Sequence, residues 1–166
     1  MEPGTYCLVF ANPAVTLAVG RLGPVAFRAG FHLYVGSALG PGGLLRVERH
    51  LRLARDRDRP PRWHVDRLLL DARFGLVAAV TGESAERLEC ALARAIGGEG
   101  VPGFGASDCG CASHLLFRPR DPTDEIRAAF SVVGLVPPLQ RPGERAMVSK
   151  GLLSIRPSQM VRIPLR

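Results

Sequence analysis

The sequence predicts an α/β fold in which a small, largely antiparallel sheet is flanked by helices and followed by a C-terminal extension. Three observations lead there. Three strand-like apolar runs fall within the first 38 residues, joined by connections too short for a crossover helix. Two later segments, 44–55 and 85–96, carry apolar residues at helical spacing. The stretch from Pro119 to Pro122 then changes the composition, and beyond one further helix no periodicity is legible. A chain of 166 residues can bury a real core in one domain but is short for two. The domain is expected over residues 4–118, with 119–166 as the extension.

Taken in order, TYCLVF at 5–10 reads as a strand, and VTLAVG at 15–20 follows the turn signal Asn12-Pro13. FHLYVGSA at 31–38 is the third strand. Alternation puts Tyr6, Leu8 and Phe10 on one face of the first strand and His32, Tyr34 and Gly36 on one face of the third. Two tyrosines can therefore project into one site. After the glycine-rich loop at 40–43, LLRVERHLRLAR shows an apolar stripe of Leu44, Val47, Leu51 and Ala54, with Arg46 and His50 one turn apart on a different side. RDRDRPPR breaks that helix. WHVDRLLLDA gives a short amphipathic element and FGLVAAVT another strand. Ser84 is expected to cap the helix AERLECALARAI, with Leu88, Ala91, Leu92 and Ala95 facing inward and Glu86 and Glu89 sharing a neighbouring face. A glycine-rich loop over 97–105 precedes ASDCGCASHLLFRP, which ends as a strand, and TDEIRAAFSVVGL supplies the last helix.

Composition narrows the function. Apolar residues make up 46% of the chain, yet none of its segments approaches the ~18–20 uninterrupted apolar residues of a membrane span. The start, MEPGTYCLVF, carries no basic region or small-residue cleavage site, so a soluble cytoplasmic protein is expected. Lys and Arg outnumber Asp and Glu by 22 to 15, and Lys150 is the one lysine among them. Guanidinium forks match phosphate oxygens bidentately, which suits a polyanionic partner; arginine-favouring codon usage would give the same composition. Nine arginines against five acids between Arg46 and Arg73 make that stretch the expected border of a DNA path, with Arg49, Arg52 and His64 as candidate contacts.

Gly4-Thr5-Tyr6 and Tyr34-Val35-Gly36, followed by a helix with Arg46 and His50 and a later helix with a carboxylate, resemble the GIY-YIG nuclease superfamily. The run YVGSALGPGGLLRVERHLR, the WHVD at 63–66, the LECA around Glu89 and GFGASDCGCASHLLF at 103–117 are similar to a prokaryotic branch of it. The resemblance implies a metal-dependent endonuclease acting on DNA. Tyr6 or Tyr34 would orient or deprotonate a water, Arg46 would clamp the phosphate, His50 would relay a proton, and Glu89 would hold one Mg²⁺ or Mn²⁺ ion. Glu89 is preferred over Glu86 because the resembling motif has its glutamate directly before Cys90. This chain departs from the superfamily in two places. The span between the tripeptides, residues 7–33, is longer than a short hairpin, and Asn12 is the sole asparagine where many members carry a late one at the active site. The second departure motivates an alternative reading, a catalytically silent nucleic-acid-binding module of the same fold.

The four cysteines are expected to be reduced thiols or ligands, with Cys7 and Cys90 inside apolar runs as core residues. Cys109, Cys111 and His114 invite a zinc reading. Cys-x-Cys lacks the common two-residue spacer, and a tetrahedral site needs a fourth ligand, for which His64 and Asp108 are the obvious candidates. The segment is therefore read first as a turn packed by buried thiols, with structural zinc as the alternative.

Overall fold

The run Gly4–Asn12 is apolar at both alternating positions, and in the computed structural model, which describes residues 2–135 and the backbone of 152–154, it forms the central strand β1. A strand with no polar face must be covered on both sides and paired on both edges. β1 meets both demands: it pairs antiparallel with β4 (Gly30–Ala38) on one edge and β5 (Gly75–Glu83) on the other. β6 (Leu115–Arg118) adds to the outer edge of β4 and the short β7 (Leu152–Ser154) to that of β5. All of these pairings are antiparallel, as expected.

Helices cover both faces. On the face of Tyr6, Leu8 and Phe10, α1 (Leu45–Asp56) and α2 (His64–Leu70) contribute Val47, Leu53, Val65, Leu68 and Leu69 to one core. On the face of Cys7 and Val9, α3 (Glu89–Ile96) and α4 (Thr123–Val132) contribute Leu92, Ile96, Ile126 and Phe130 to another. Because α4 seals the second core, the packed unit runs past residue 118 to Leu135. No helix among the described residues is long and apolar enough to cross a membrane.

Local structure departs from the sequence reading in two places. The expected strand at 15–20 is shorter, β2 (Val15–Ala18), and pairs with β3 (Pro24–Phe27) in a separate two-stranded ribbon instead of joining the sheet. Asn12 closes the neck of this excursion: its Nδ2 donates to the Pro13 and Arg28 carbonyls, which leaves its Oδ1 to accept from His32 Nδ1 at 2.7 Å. The second departure is the start of α3, at Glu89 instead of Ala85. Ser84 Oγ does not cap it; it accepts the Glu86 N–H at 2.9 Å in a tight turn upstream. The inward residues are Glu89, Leu92, Ala93 and Ile96, while Ala95 and Glu86 are exposed.

Candidate functional site

Tyr6 stands directly opposite Gly36 in the β1–β4 register, and its ring lies across the glycine. A Cβ at Gly36 would sit 2.6 Å from Tyr6 Cζ and Oη, closer than any side chain can approach. Gly105 makes the same allowance for the second tyrosine. With φ at +64°, a Cβ there would come within 2.9 Å of the Tyr34 ring. The two rings are thus held with centroids 6.3 Å apart.

The Tyr6 hydroxyl is 2.9 Å from Nε2 of His50, on the inward side of α1. His50 was expected beside Arg46, away from the apolar stripe; it is buried instead, because the tyrosine hydroxyl supplies the hydrogen bond that burial of an imidazole requires. Burial, reinforced by the Arg49 and Arg46 charges, pushes its pKa down to about 3, so the ring is neutral at pH 7. Burial also drives Tyr6 above the ordinary phenol range and, against the opposing pull of Arg46, pushes Tyr34 up to about 12. Both hydroxyls keep their protons at neutral pH.

These residues line a cleft of about 450 Å³ together with Arg46, Glu89, Arg87, Asp108, Trp63 and His64. Glu89 arrives from a helix packed on the other face of the sheet, and the strand pairing explains how. β6 pairs with Phe31–Tyr34, and the Val35 N–H continues the edge by donating to the His114 carbonyl at 2.9 Å; beyond Val35 this side of β4 has no strand partner among the described residues, and Gly36 and Ser37 border the cleft. The start of α3 reaches the tyrosines around that open edge. Arg46 is anchored by Nη1 donating to the Ser37 carbonyl at 2.8 Å. Glu89 is buried; its Oε1 accepts from Arg87 Nε at 2.6 Å, while Oε2 has no hydrogen-bond partner among the described residues. Arg87 also holds Asp108 at 2.7 Å, a bridge that the sequence did not announce.

The three candidate DNA contacts are divided. His64 lines the cleft, where its Nδ1 accepts the Gly105 N–H at 3.3 Å and so steadies the loop beneath Tyr34. Arg49 and Arg52 line an adjacent cavity of about 420 Å³, and Arg62 borders both. Trp63 lines the first, 38% exposed, with the Arg49, Arg62 and Arg46 guanidiniums 4.0, 5.3 and 5.4 Å from its ring centroid.

A family model matches residues 5–135. The chain belongs to the family described as Domain of unknown function DUF123. The DUF123 span runs from β1 through α4 and holds every residue named in the cleft. No curated protein and no solved structure matches the chain.

Beside the cleft, the DUF123 domain gathers Cys90, Cys109, Cys111 and His114, whose ligand atoms all lie within 4.8 Å of one another, a set able to bind a metal ion such as zinc. His114 Nε2 is 3.7 Å from Cys90 Sγ and 3.6 Å from Cys109 Sγ. The fourth member is neither His64 nor Asp108. Cys90, expected in the core, is half-buried and belongs to this cluster, because α3 turns Glu89, Leu92, Ala93 and Ile96 inward. Cys7 is a buried core residue as expected.

Proposed function

We propose that this cleft hydrolyses phosphodiester bonds in DNA as a metal-dependent endonuclease, in the manner of the GIY-YIG superfamily that the two tyrosine tripeptides resemble. The reading is carried by one observation: Tyr6, Tyr34, Arg46, His50 and Glu89 come from four different elements and border one cleft. Hydrolysis needs a positioned water, positive charge at the phosphate and help for the leaving oxygen. The protonated Tyr6 and Tyr34 hydroxyls orient the water and phosphate by hydrogen bonds. Neutral His50, 2.9 Å from the Tyr6 hydroxyl, fixes the direction of that hydroxyl toward the water at pH 7. Arg46 clamps the phosphate.

Glu89 fits a hard cation, because Oε2 is a buried carboxylate oxygen without a partner among the described residues. Bound there, one Mg²⁺ or Mn²⁺ ion would supply positive charge to a phosphate oxygen. DNA is the proposed partner along the arginine-rich face, where Trp63 offers a stacking surface and Arg49, Arg52 and Arg62 offer phosphate contacts. The cytoplasm, where thiols stay reduced, is the proposed compartment.

A second reading, a nucleic-acid-binding module without catalysis, is favoured by one observation: the chain's sole asparagine is committed to the β2–β3 neck. Nicking of supercoiled plasmid with Mg²⁺ or Mn²⁺ separates the two. Metal-dependent nicking should vanish in Glu89→Gln, which keeps the Oε1 acceptor for Arg87, and survive in Glu86→Gln, whose side chain is exposed. Wild-type protein that binds DNA yet never nicks it supports the binding module instead.

A further inference from the structure

The Cys90, Cys109, Cys111 and His114 cluster has the shape of a metal site already closed. From zinc–sulfur bonds of about 2.3 Å and zinc–nitrogen bonds of about 2.0–2.1 Å, a tetrahedron has S···N edges of about 3.5–3.6 Å. Two of the three S···N edges here are 3.6 and 3.7 Å, and all the ligand atoms lie within 4.8 Å of one another. We infer that these four side chains bind one zinc ion as a structural site, tying the start of α3 to the loop before β6.

Three arguments support the assignment. The donors are three thiols and an imidazole, a set that selects a borderline-soft cation in tetrahedral geometry over Mg²⁺ or Ca²⁺. Four protein ligands leave no position for water or substrate, which marks a structural ion, not a catalytic one. The ion also adds a tie to α3: residues 97–114 form no regular helix or strand, and their backbone hydrogen bonds run mainly within the segment and to β4 and β6. Across this gap the described side-chain link from Arg87 to Asp108 is exposed, and exposed ion pairs hold little on their own. Binding releases the thiol protons and leaves the centre with one net negative charge, so loading is favoured as pH rises.

The placement gives the ion a consequence for the neighbouring cleft. Cys90 directly follows Glu89, and Cys109 directly follows Asp108. One ion therefore fixes both carboxylates that Arg87 bridges. The zinc assignment itself does not depend on the proposed nuclease activity.

The test uses the purified full chain, prepared without chelator. Metal analysis should find about one zinc per chain, lost in Cys111→Ser and in Cys90→Ser. Cobalt(II) replacing the zinc should show intense tetrahedral d–d bands and sulfur-to-cobalt charge transfer. Should the serine variants fail to fold, His114→Cys decides: a fourth thiolate keeps the metal and shifts the cobalt spectrum. Hydrogen exchange after chelation should lose protection at residues 89–93 and 106–114 while β1 keeps its own. Zinc-free protein with all thiols titratable, a disulfide among these cysteines, or an octahedral cobalt spectrum would overturn the assignment. Unchanged protection after chelation would overturn the tether.

Discussion

Lowering the pH from 7 to 5 should remove about 4 kcal/mol of folding stability, through two buried histidines. His50 and His32 are both almost wholly inaccessible, and burial, with Arg49 and Arg46 beside the first and Arg28 beside the second, pushes their pKa values down from 6.5 to about 3 and about 4. The sign follows from proton counting. Below pH 6.5 the unfolded chain takes up protons that the folded chain refuses, so stability is complete above pH 6.5 and is lost as pH falls toward the folded values. At ~1.36 kcal/mol per pKa unit, 1.5 units below the unfolded value costs about 2 kcal/mol for each ring. The sum is a large part of the ~5–15 kcal/mol that holds a domain together. Urea denaturation at half-unit pH steps between 7 and 5 measures the slope, and His50→Gln and His32→Gln should each remove about half of it. A wild-type change below ~1 kcal/mol, or variants with the wild-type slope, would refute the assignment of neutral buried rings.

Two substitutions probe the cleft directly. Gly36→Ala drives a methyl to within 2.6 Å of the buried Tyr6 ring; a loss of about 1–3 kcal/mol in denaturation is expected, and wild-type stability would contradict the packing. Arg46→Ala should weaken DNA binding and slow the proposed nicking about 10²-fold or more, the typical ~3 kcal/mol effect of removing one charge from a transition state; unchanged rates would exclude it as the phosphate clamp.

How much of this was legible depended on how local each cause is. The strands β1 and β4 and the faces that carry Tyr6, Tyr34 and Gly36 follow from alternation, which fixes a face residue by residue, whereas the register that sets Tyr6 against Gly36 does not. The stripe of α1 was legible for Val47 for the same reason, whereas His50 joined the buried face through a hydroxyl 44 residues away. Residues 85–88, Ala-Glu-Arg-Leu, favour helix on propensity alone, yet Arg87 is held by Glu89 and Asp108 and the Ser84 turn stops the helix short. The cluster depends on which face α3 turns inward: with Glu89, Leu92, Ala93 and Ile96 buried, Cys90 is left toward Cys109 and Cys111. No spacing rule could pair a helix cysteine with a loop 19 residues on; the adjacency of Glu89 and Cys90 in the resembling motif was the one available signal.

The polar atoms left without hydrogen bonds separate stability from function. Five buried side-chain atoms have no hydrogen-bond partner among the described residues; Arg49 Nη2 and Asp66 Oδ1 form an ion pair at 3.9 Å, and two others, His50 Nδ1 and Glu89 Oε2, belong to the cleft. Each costs about 1–3 kcal/mol that an apolar side chain would not. Packing alone gives no reason to keep them, which leads to a double substitution. Tyr6→Phe by itself strands His50 Nε2, and His50→Leu by itself strands the Tyr6 hydroxyl, so each should destabilise by about 1–3 kcal/mol. Tyr6→Phe with His50→Leu removes both partners at once and should come within ~1 kcal/mol of wild type, because no buried donor or acceptor of the pair is left behind. The same protein should have no nicking activity. Thermal and urea unfolding of the four proteins gives the coupling energy directly. Additive losses would mean that the hydrogen bond is not what holds the pair, and a double variant that still nicks DNA would remove Tyr6 and His50 from the catalytic group.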